Sequence, residues 1–295
     1  MTTLRYEVVA IFGPTASGKS AVARRVADEL GTDVVSADAL QVYRGLPILT
    51  NQPAEPMALV AIRDLGDTMS VGEYAGLAHE SIDDFVGRHG AAVVAGGTGL
   101  YLRAALADLE IPPAVQAPER RRTEALYDAD PDAAHALLVE FDAAAAQAVH
   151  VNDRRRVVRA LELAAVGATL APSADRLWSD VTRRLTLIVG LDLPAQELDR
   201  RIAARADEMI RRGVADEVRT AVRDPISHTA EKALGLRELA GLPLNEARET
   251  IVARTRRYAA YQRKWMRRIP GIVLVDADRP VDEVADDILD LARAR

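Results

Sequence analysis

After a short polar lead the chain enters a continuous apolar run, YEVVAIF at 6–12, of strand length, which is followed at once by the glycine-rich GPTASGKS at 13–20. Apolar positions then recur at helical spacing through SAVARRVADEL (20–30) up to Gly31. The pattern therefore predicts strand, loop, helix. Two further buried strands are predicted at DVVSAD (33–38) and AAVVAGG (91–97), with a helix around 71–88, N-capped by Ser70, before the second. Strand character returns at LTLIVGLDL (185–193) and GIVLVDAD (271–278), and a long amphipathic helix from about 195 to 211 follows the first of these. Unbroken apolar strands alternating with helices predict a doubly wound parallel sheet, with ligands at the carboxyl ends of its strands.

Between the third and fourth strands the texture changes. After IPPAVQAP (111–118) the sequence is alanine-rich, charged and helical to about 165, and APSADRLW (171–178) reads as a loop leading back. The predicted organisation is an α/β core made of 1–114 and 179–295, with an inserted all-helical subdomain at 115–178.

The pattern G-x-x-x-x-G-K-S is met by Gly13, Gly18, Lys19 and Ser20, in the strand-to-helix setting it requires. Its glycines let successive backbone N–H groups converge on phosphate oxygens, the helix N-terminus adds partial positive charge, Lys19 adds a full one, and Ser20 can ligate Mg²⁺. The sheet is thus expected to be P-loop NTPase-like. A hydrolase of that kind usually sets a carboxylate at the end of another strand; here AAVVAGGTG ends in Gly96, Gly97, Thr98 and Gly99. That run reads either as a tight turn or as room for close backbone approach to a bulky group, with Thr98 offering a hydroxyl. The acid well placed at a strand end is Asp38, either a turn or cap residue or a base that binds an acceptor and takes its proton. Group transfer is indicated, and whether the transferred group is phosphoryl or carbon stays open at this point.

Charge changes the picture of partners. The chain has 295 residues, 49% hydrophobic, and a formal charge of −6, which argues against a polyanionic partner until its distribution is considered. From 254 to 268 there are seven Arg or Lys and no acid, with Tyr258, Tyr261 and Trp265 interleaved. Smaller clusters lie at Arg120–Arg122 and at Arg154–Arg156 with Arg159. Three basic clusters in an acidic chain point to local polyanion sites. The absence of cysteine excludes disulfides and thiolate chemistry, and the five histidines show no ligand-like spacing. No stretch is long and apolar enough for a membrane span, and no secretion signal is read at the start, so a cytoplasmic protein is expected.

Taken together, GPTASGKS (13–20), SADALQVYRGL (36–46), VVAGGTGLYLRAA (93–105), NDRRRVVRALE (152–162), RIAARADEMIRRGVADEV (201–218) and TRRYAAYQRKW (255–265) resemble the tRNA dimethylallyltransferases, bacterial tRNA isopentenyltransferases that prenylate an adenosine beside the anticodon. The six blocks span most of the chain. The resemblance implies that dimethylallyl diphosphate sits with its diphosphate on Gly13, Thr15, Ala16, Ser17, Gly18, Lys19 and Ser20, with Mg²⁺ beside it on Ser20. It implies Asp38 as the group accepting the N6 proton and Thr98 as a residue near the reacting amine. It assigns tRNA contacts to Asp38, Ala39, Leu40, Gln41 and Thr98, to Arg155, Arg156 and Arg159 on an insertion gripping the anticodon stem-loop, and to Lys232 and Arg237. A monomer is the state it implies. Departures are Gln52 in place of a lysine, no histidine in ALVAIRDLGD (58–67), Leu236 at a usual tyrosine, and Lys232 where an arginine is common. The competing readings are a P-loop kinase acting on a small metabolite or nucleoside, which leaves four of the blocks without a role, and a non-catalytic RNA-binding module.

Overall fold

The computed structural model describes residues 4–113, 115, 117–171 and 176–294. The loop expected at 171–178, the proline-marked stretch at 111–118 and the polar lead fall partly outside these residues. By its internal contacts the chain divides into a unit of 1–108 with 177–295 and a second of 109–176, against the expected insertion at 115–178.

In chain order the first unit begins β1 (Val8–Phe12), α1 (Lys19–Leu30), β2 (Val34–Ser36), α2 (Val71–His89), β3 (Ala92–Gly96) and α3 (Gly99–Leu106). The second unit supplies α4 (Ala117–Ala129), α5 (Pro131–Phe141), α6 (Ala143–Ala148) and α7 (Arg154–Ala165). The first unit resumes with β4 (Thr186–Asp192), α8 (Ala195–Arg211), α9 (Val214–Ala221), α10 (Leu236–Gly241), α11 (Leu244–Met266), β5 (Val273–Asp276) and α12 (Val281–Arg293). All five predicted strands are present, each shorter than the segment that announced it, with β2 and β5 about half as long.

The sheet has the order β2-β3-β1-β4-β5 and every neighbouring pair is parallel, with Val8 opposite both Ala92 and Thr186. Alternation along the strands sends Val9, Ile11, Val93, Val189 and Leu191 to one face, where they meet Val22 and Val26 of α1 and Val284 and Ile288 of α12. The intervening residues face α2 and α3. Burial on both faces is why β1 and β3 read as unbroken apolar runs. Each such Val or Ile contributes roughly 1.5–3 kcal/mol by leaving water. The Ser70 hydroxyl caps α2 by accepting the Glu73 N–H, and Gly90, left-handed at φ 76°, ends it.

This order fixes where chemistry can occur. From β1 the chain passes to β2 on one side of the sheet and later returns to β4 on the other, so the crevice above the carboxyl end of β1 is a topological switch point. The loops after β1, β2 and β3 open into it.

The helical unit packs Tyr127, Ala134, Leu138, Ala145, Val157 and Leu161 into a core of its own. Asp130, Asp142 and Asp153 cap α5, α6 and α7, and the Tyr127 hydroxyl donates to the Val151 carbonyl at 2.8 Å. Among the described residues no helix is long and apolar enough to cross a membrane.

Candidate active site

The loop after β1 wraps into α1 through Gly18, whose φ of 86° an L side chain rarely adopts. A Cβ on Gly13 would lie 2.6 Å from Ser17 Oγ, so the loop closes only over glycine. Ser17 Oγ is buried, the residue being 2% exposed, and it has no hydrogen-bond partner. An unpartnered hydroxyl in a glycine-rich loop at a helix N-terminus fits an anion as its hydrogen-bond acceptor. Lys19 lies at the first turn, its Nζ 3.4 Å from the Pro14 carbonyl. Burial above all, with the Arg205 charge adding to it and the Asp38 carboxylate opposing, brings the Lys19 ammonium down to about 8.

Arg205 was not anticipated from the sequence. It comes from α8, donates to Thr15 Oγ1 at 2.8 Å, and burial lowers its pKa against the pull of Asp38. A signal existed: Leu198, Ile202, Ala206 and Met209 form the buried stripe of α8, and Arg205 is a charge set on that stripe. Gln262 of α11 is the second such residue. It is 2% exposed, accepts the Thr15 N–H at 2.8 Å through Oε1, and donates from Nε2 to the Gly97 carbonyl at 2.8 Å. It too stands on an apolar stripe, between Ala259 and Met266.

Facing the loop, β2 ends in Asp38 and β3 in the glycine run. Asp38 is half-buried, and its Oδ1 accepts the Leu40 N–H at 2.9 Å, so one oxygen shapes the turn while the carboxylate charge acts on Lys19 and Arg205. Thr98 Oγ1 accepts the Ala39 N–H at 3.3 Å, joining the two strand ends. Tyr258 of α11 reaches the same place. Burial above all, then the Asp38 charge, push its hydroxyl up to about 12 against the hydrogen bonds with Thr98 and Gln262 that lower it. Tyr74 and Tyr101, whose rings are 4.3 Å apart, are likewise raised, by burial first and then by each other or by neighbouring hydroxyl and acidic groups that include Asp38. The glycine run permits close approach: a Cβ would fall 2.1 Å from the Ala37 carbonyl oxygen at 96, 2.3 Å from Gln262 Nε2 at 97, and 2.2 Å from the Trp265 ring at 99.

Two cationic groups on one side and a carboxylate with two hydroxyls on the other suit a reaction in which an anion departs as a proton is taken from an incoming nucleophile. Among the described residues no three His, Asp or Glu side chains converge as a metal cage. The donor set fits Mg²⁺ of the kind held by one hydroxyl, that of Ser20 in the first turn of α1, with the rest of its sphere from phosphate and water.

The other residues singled out from the sequence lie elsewhere. The Gln41 side chain points inward, accepting from Ser36 Oγ at 2.9 Å and donating to the Asn51 carbonyl at 2.8 Å, so it shapes the loop after β2. Ala39 and Leu40 are half-buried in that loop, next to Asp38. Gln52, at the departure from lysine, donates to the Tyr43 carbonyl at 2.6 Å, and Leu236 is buried beside Leu46 and Leu49. Lys232 and Arg237 are exposed on the first unit, Arg237 paired with Glu231 at 2.8 Å. Arg155, Arg156 and Arg159 belong to α7 of the helical unit. Arg155 is exposed, Arg156 lies 3.8 Å from Asp153, and Arg159 is held by Glu162 and the Pro113 carbonyl. Trp265 is half-buried and stacked on Trp178 with ring centroids 4.7 Å apart.

Residues 41–269 match the family model described as IPP transferase, and residues 6–58 match that of isopentenyl transferase. The chain belongs to the IPP transferase family. Its relatives include tRNA dimethylallyltransferases of Streptomyces coelicolor, 38% identical over 90% of this chain and 88% of that one, and of Thermobifida fusca, 38% identical over 92% and 91%. Among solved structures it is similar to the full-length tRNA isopentenylpyrophosphate transferase of Bacillus halodurans, with TM-score 0.69 and 28% identity over 97% of this chain and 95% of that one. It is also similar to a eukaryotic dimethylallyltransferase acting on tRNA, with TM-score 0.73 and 25% identity over 92% and 73%. The IPP transferase family assignment agrees with the P-loop NTPase-like α/β fold seen here.

Proposed function

We propose that this protein transfers a dimethylallyl group from dimethylallyl diphosphate to N6 of an adenosine beside the anticodon of tRNA, releasing diphosphate, as a monomer in the cytoplasm. The observation that carries the reading is the opposition of Lys19 and Arg205 to Asp38 and Thr98 across a floor of glycine. The loop amides, Ser17 Oγ, Lys19 and Arg205 hold the diphosphate and stabilise the charge that grows on it as the bond from C1 to oxygen breaks and the electron pair leaves with the diphosphate. The N6 lone pair forms the new bond to C1, and Asp38 accepts the N6 proton. Thr98, tied to the Ala39 amide and to Tyr258, positions the acceptor amine. Mg²⁺, held by Ser20 and the diphosphate oxygens, would supply further charge neutralisation to the leaving group. The acceptor base must leave its stack to reach Asp38, so basic surfaces are needed to grip the rest of the RNA. Arg155, Arg156 and Arg159 on the helical unit and Lys232 and Arg237 on the core serve that purpose in this reading.

The test is turnover. With unmodified tRNA and Mg²⁺, label should pass from dimethylallyl diphosphate into RNA, while labelled ATP should transfer nothing to small acceptors; the reverse result would establish the kinase. Asp38→Ala should lower kcat by roughly 10²- to 10⁴-fold, the usual worth of a general base, with diphosphate affinity little changed. Equal loss of both would make Asp38 a structural residue.

A further inference from the structure

The C-terminal half of α11 carries charge that the fold leaves unpaired. Of the seven Arg and Lys from 254 to 268, Arg254 pairs with Glu238, Arg256 with Asp199 and Arg263 with Asp192. Among the described residues, Lys264 and Arg268 have no acidic partner. Tyr261, Lys264 and Arg268 stand at i, i+3 and i+7 and so share one side of the helix and its following turn. Tyr261 is 55% exposed, a large ring in water. Its inner edge is fixed by Trp265, at 6.5 Å and 69° between the rings; Trp265 stacks on Trp178, and the Arg268 guanidinium lies 3.8 Å over Trp178. The ring is therefore held in place with its outer side unoccupied by protein.

Its position relates it to the reaction. Trp265 covers Gly99, the residue after Thr98. Tyr258, one turn before Tyr261 on the same helix, hydrogen-bonds Thr98. The rise between residues 258 and 261 is about 4.5 Å, comparable to the step from one nucleotide to the next. We infer that Tyr261 is the stacking platform for the unpaired base next to the acceptor adenosine, and that Lys264 and Arg268 hold the phosphate of that nucleotide. An exposed aromatic flanked by cations that no acid neutralises is the combination by which proteins bind single-stranded nucleic acid: every base offers a π-face and every linkage an anion. The inference rests on the preceding proposal that the acceptor is an adenosine in an RNA loop.

The probe is a synthetic anticodon stem-loop hairpin with 2-aminopurine replacing, in turn, each base flanking the acceptor adenosine. Stacking on Tyr261 should quench 2-aminopurine, and the only two tryptophans of the chain, Trp178 and Trp265, should report the contact through their own emission. Tyr261→Ala should raise the KM for the hairpin roughly 5- to 100-fold and abolish the quenching while leaving the KM for dimethylallyl diphosphate unchanged, and Tyr261→Trp should restore both the hairpin KM and the quenching. Because the ring buries little, Tyr261→Ala should melt as the wild type does. Unaltered hairpin KM and quenching in Tyr261→Ala would overturn the inference, as would failure of Tyr261→Trp to rescue a lost affinity. If the wild type binds and quenches without prenylating, the preceding proposal fails and takes with it the acceptor neighbour assigned to Tyr261, leaving only an RNA-stacking ring. If it prenylates and Tyr261→Ala is indistinguishable, only this one fails.

Discussion

Replacing Gln262 by Met tests whether the buried amide is a structural strut of the site. Met copies the length of the side chain and removes both polar ends. The Thr15 N–H and the Gly97 carbonyl, each bonded to Gln262 at 2.8 Å in a residue 2% exposed, would then lose their partners where water has little access. Each buried orphan costs about 1–3 kcal/mol, so the variant should lose roughly 2–6 kcal/mol and, for a domain of this size, melt roughly 5–20 °C lower. The measurement is thermal unfolding followed by circular dichroism, with and without inorganic diphosphate. A bound diphosphate offers the Thr15 amide a new acceptor, so the gap between variant and wild type should narrow when it is added. A variant that melts with the wild type, or a gap that diphosphate leaves unchanged, would refute the role given to this side chain.

Two further outcomes follow from the charges. Lys19 is lowered to about 8 by burial, with Arg205 adding to the shift; its ammonium is present below that value and lost above it. Diphosphate affinity should therefore hold steady up to about 8 and fall between there and the ordinary 10.5, with proton uptake on binding in that window, measurable by calorimetry in buffers of different ionisation heat. The stability of the empty protein should change in the opposite sense, rising through the same window because the unfolded chain holds the proton more tightly. Arg205→Gln should raise the KM for the prenyl donor roughly 10- to 100-fold, the worth of a charge-assisted hydrogen bond, and leave the KM for tRNA unaltered; steady-state kinetics with each substrate varied separately would decide it.

The sheet was legible because its strands are buried on both faces: VVAIF and AVVAG admit no polar residue and so announce themselves. The loop after β1 was legible because its pattern is confined to a short span, with Lys19 and Ser20 at fixed spacing from Gly13 and Gly18. Asp38 and Thr98 were found by the rule that ligands gather at strand ends. What stayed hidden was supplied from far along the chain. Arg205 reaches Thr15 from 190 residues away, and Gln262 from 247. No local pattern encodes such a meeting; only the polar residue misplaced on an apolar stripe hints at it. Gln41 illustrates the converse, for a residue in the same loop as Asp38 turns its amide inward to tie that loop to Asn51.

The three glycines at 96, 97 and 99 have a consequence for how this enzyme can change. A methyl group at any of them meets a carbonyl oxygen, an amide nitrogen or an indole within 2.3 Å, so side chains cannot be added there without displacing these neighbours. Under the proposed reaction, any drift in which nucleoside or which prenyl chain is accepted would have to arise in the walls, on α8, α11 and the turn after β2, while this ground stays bare main chain.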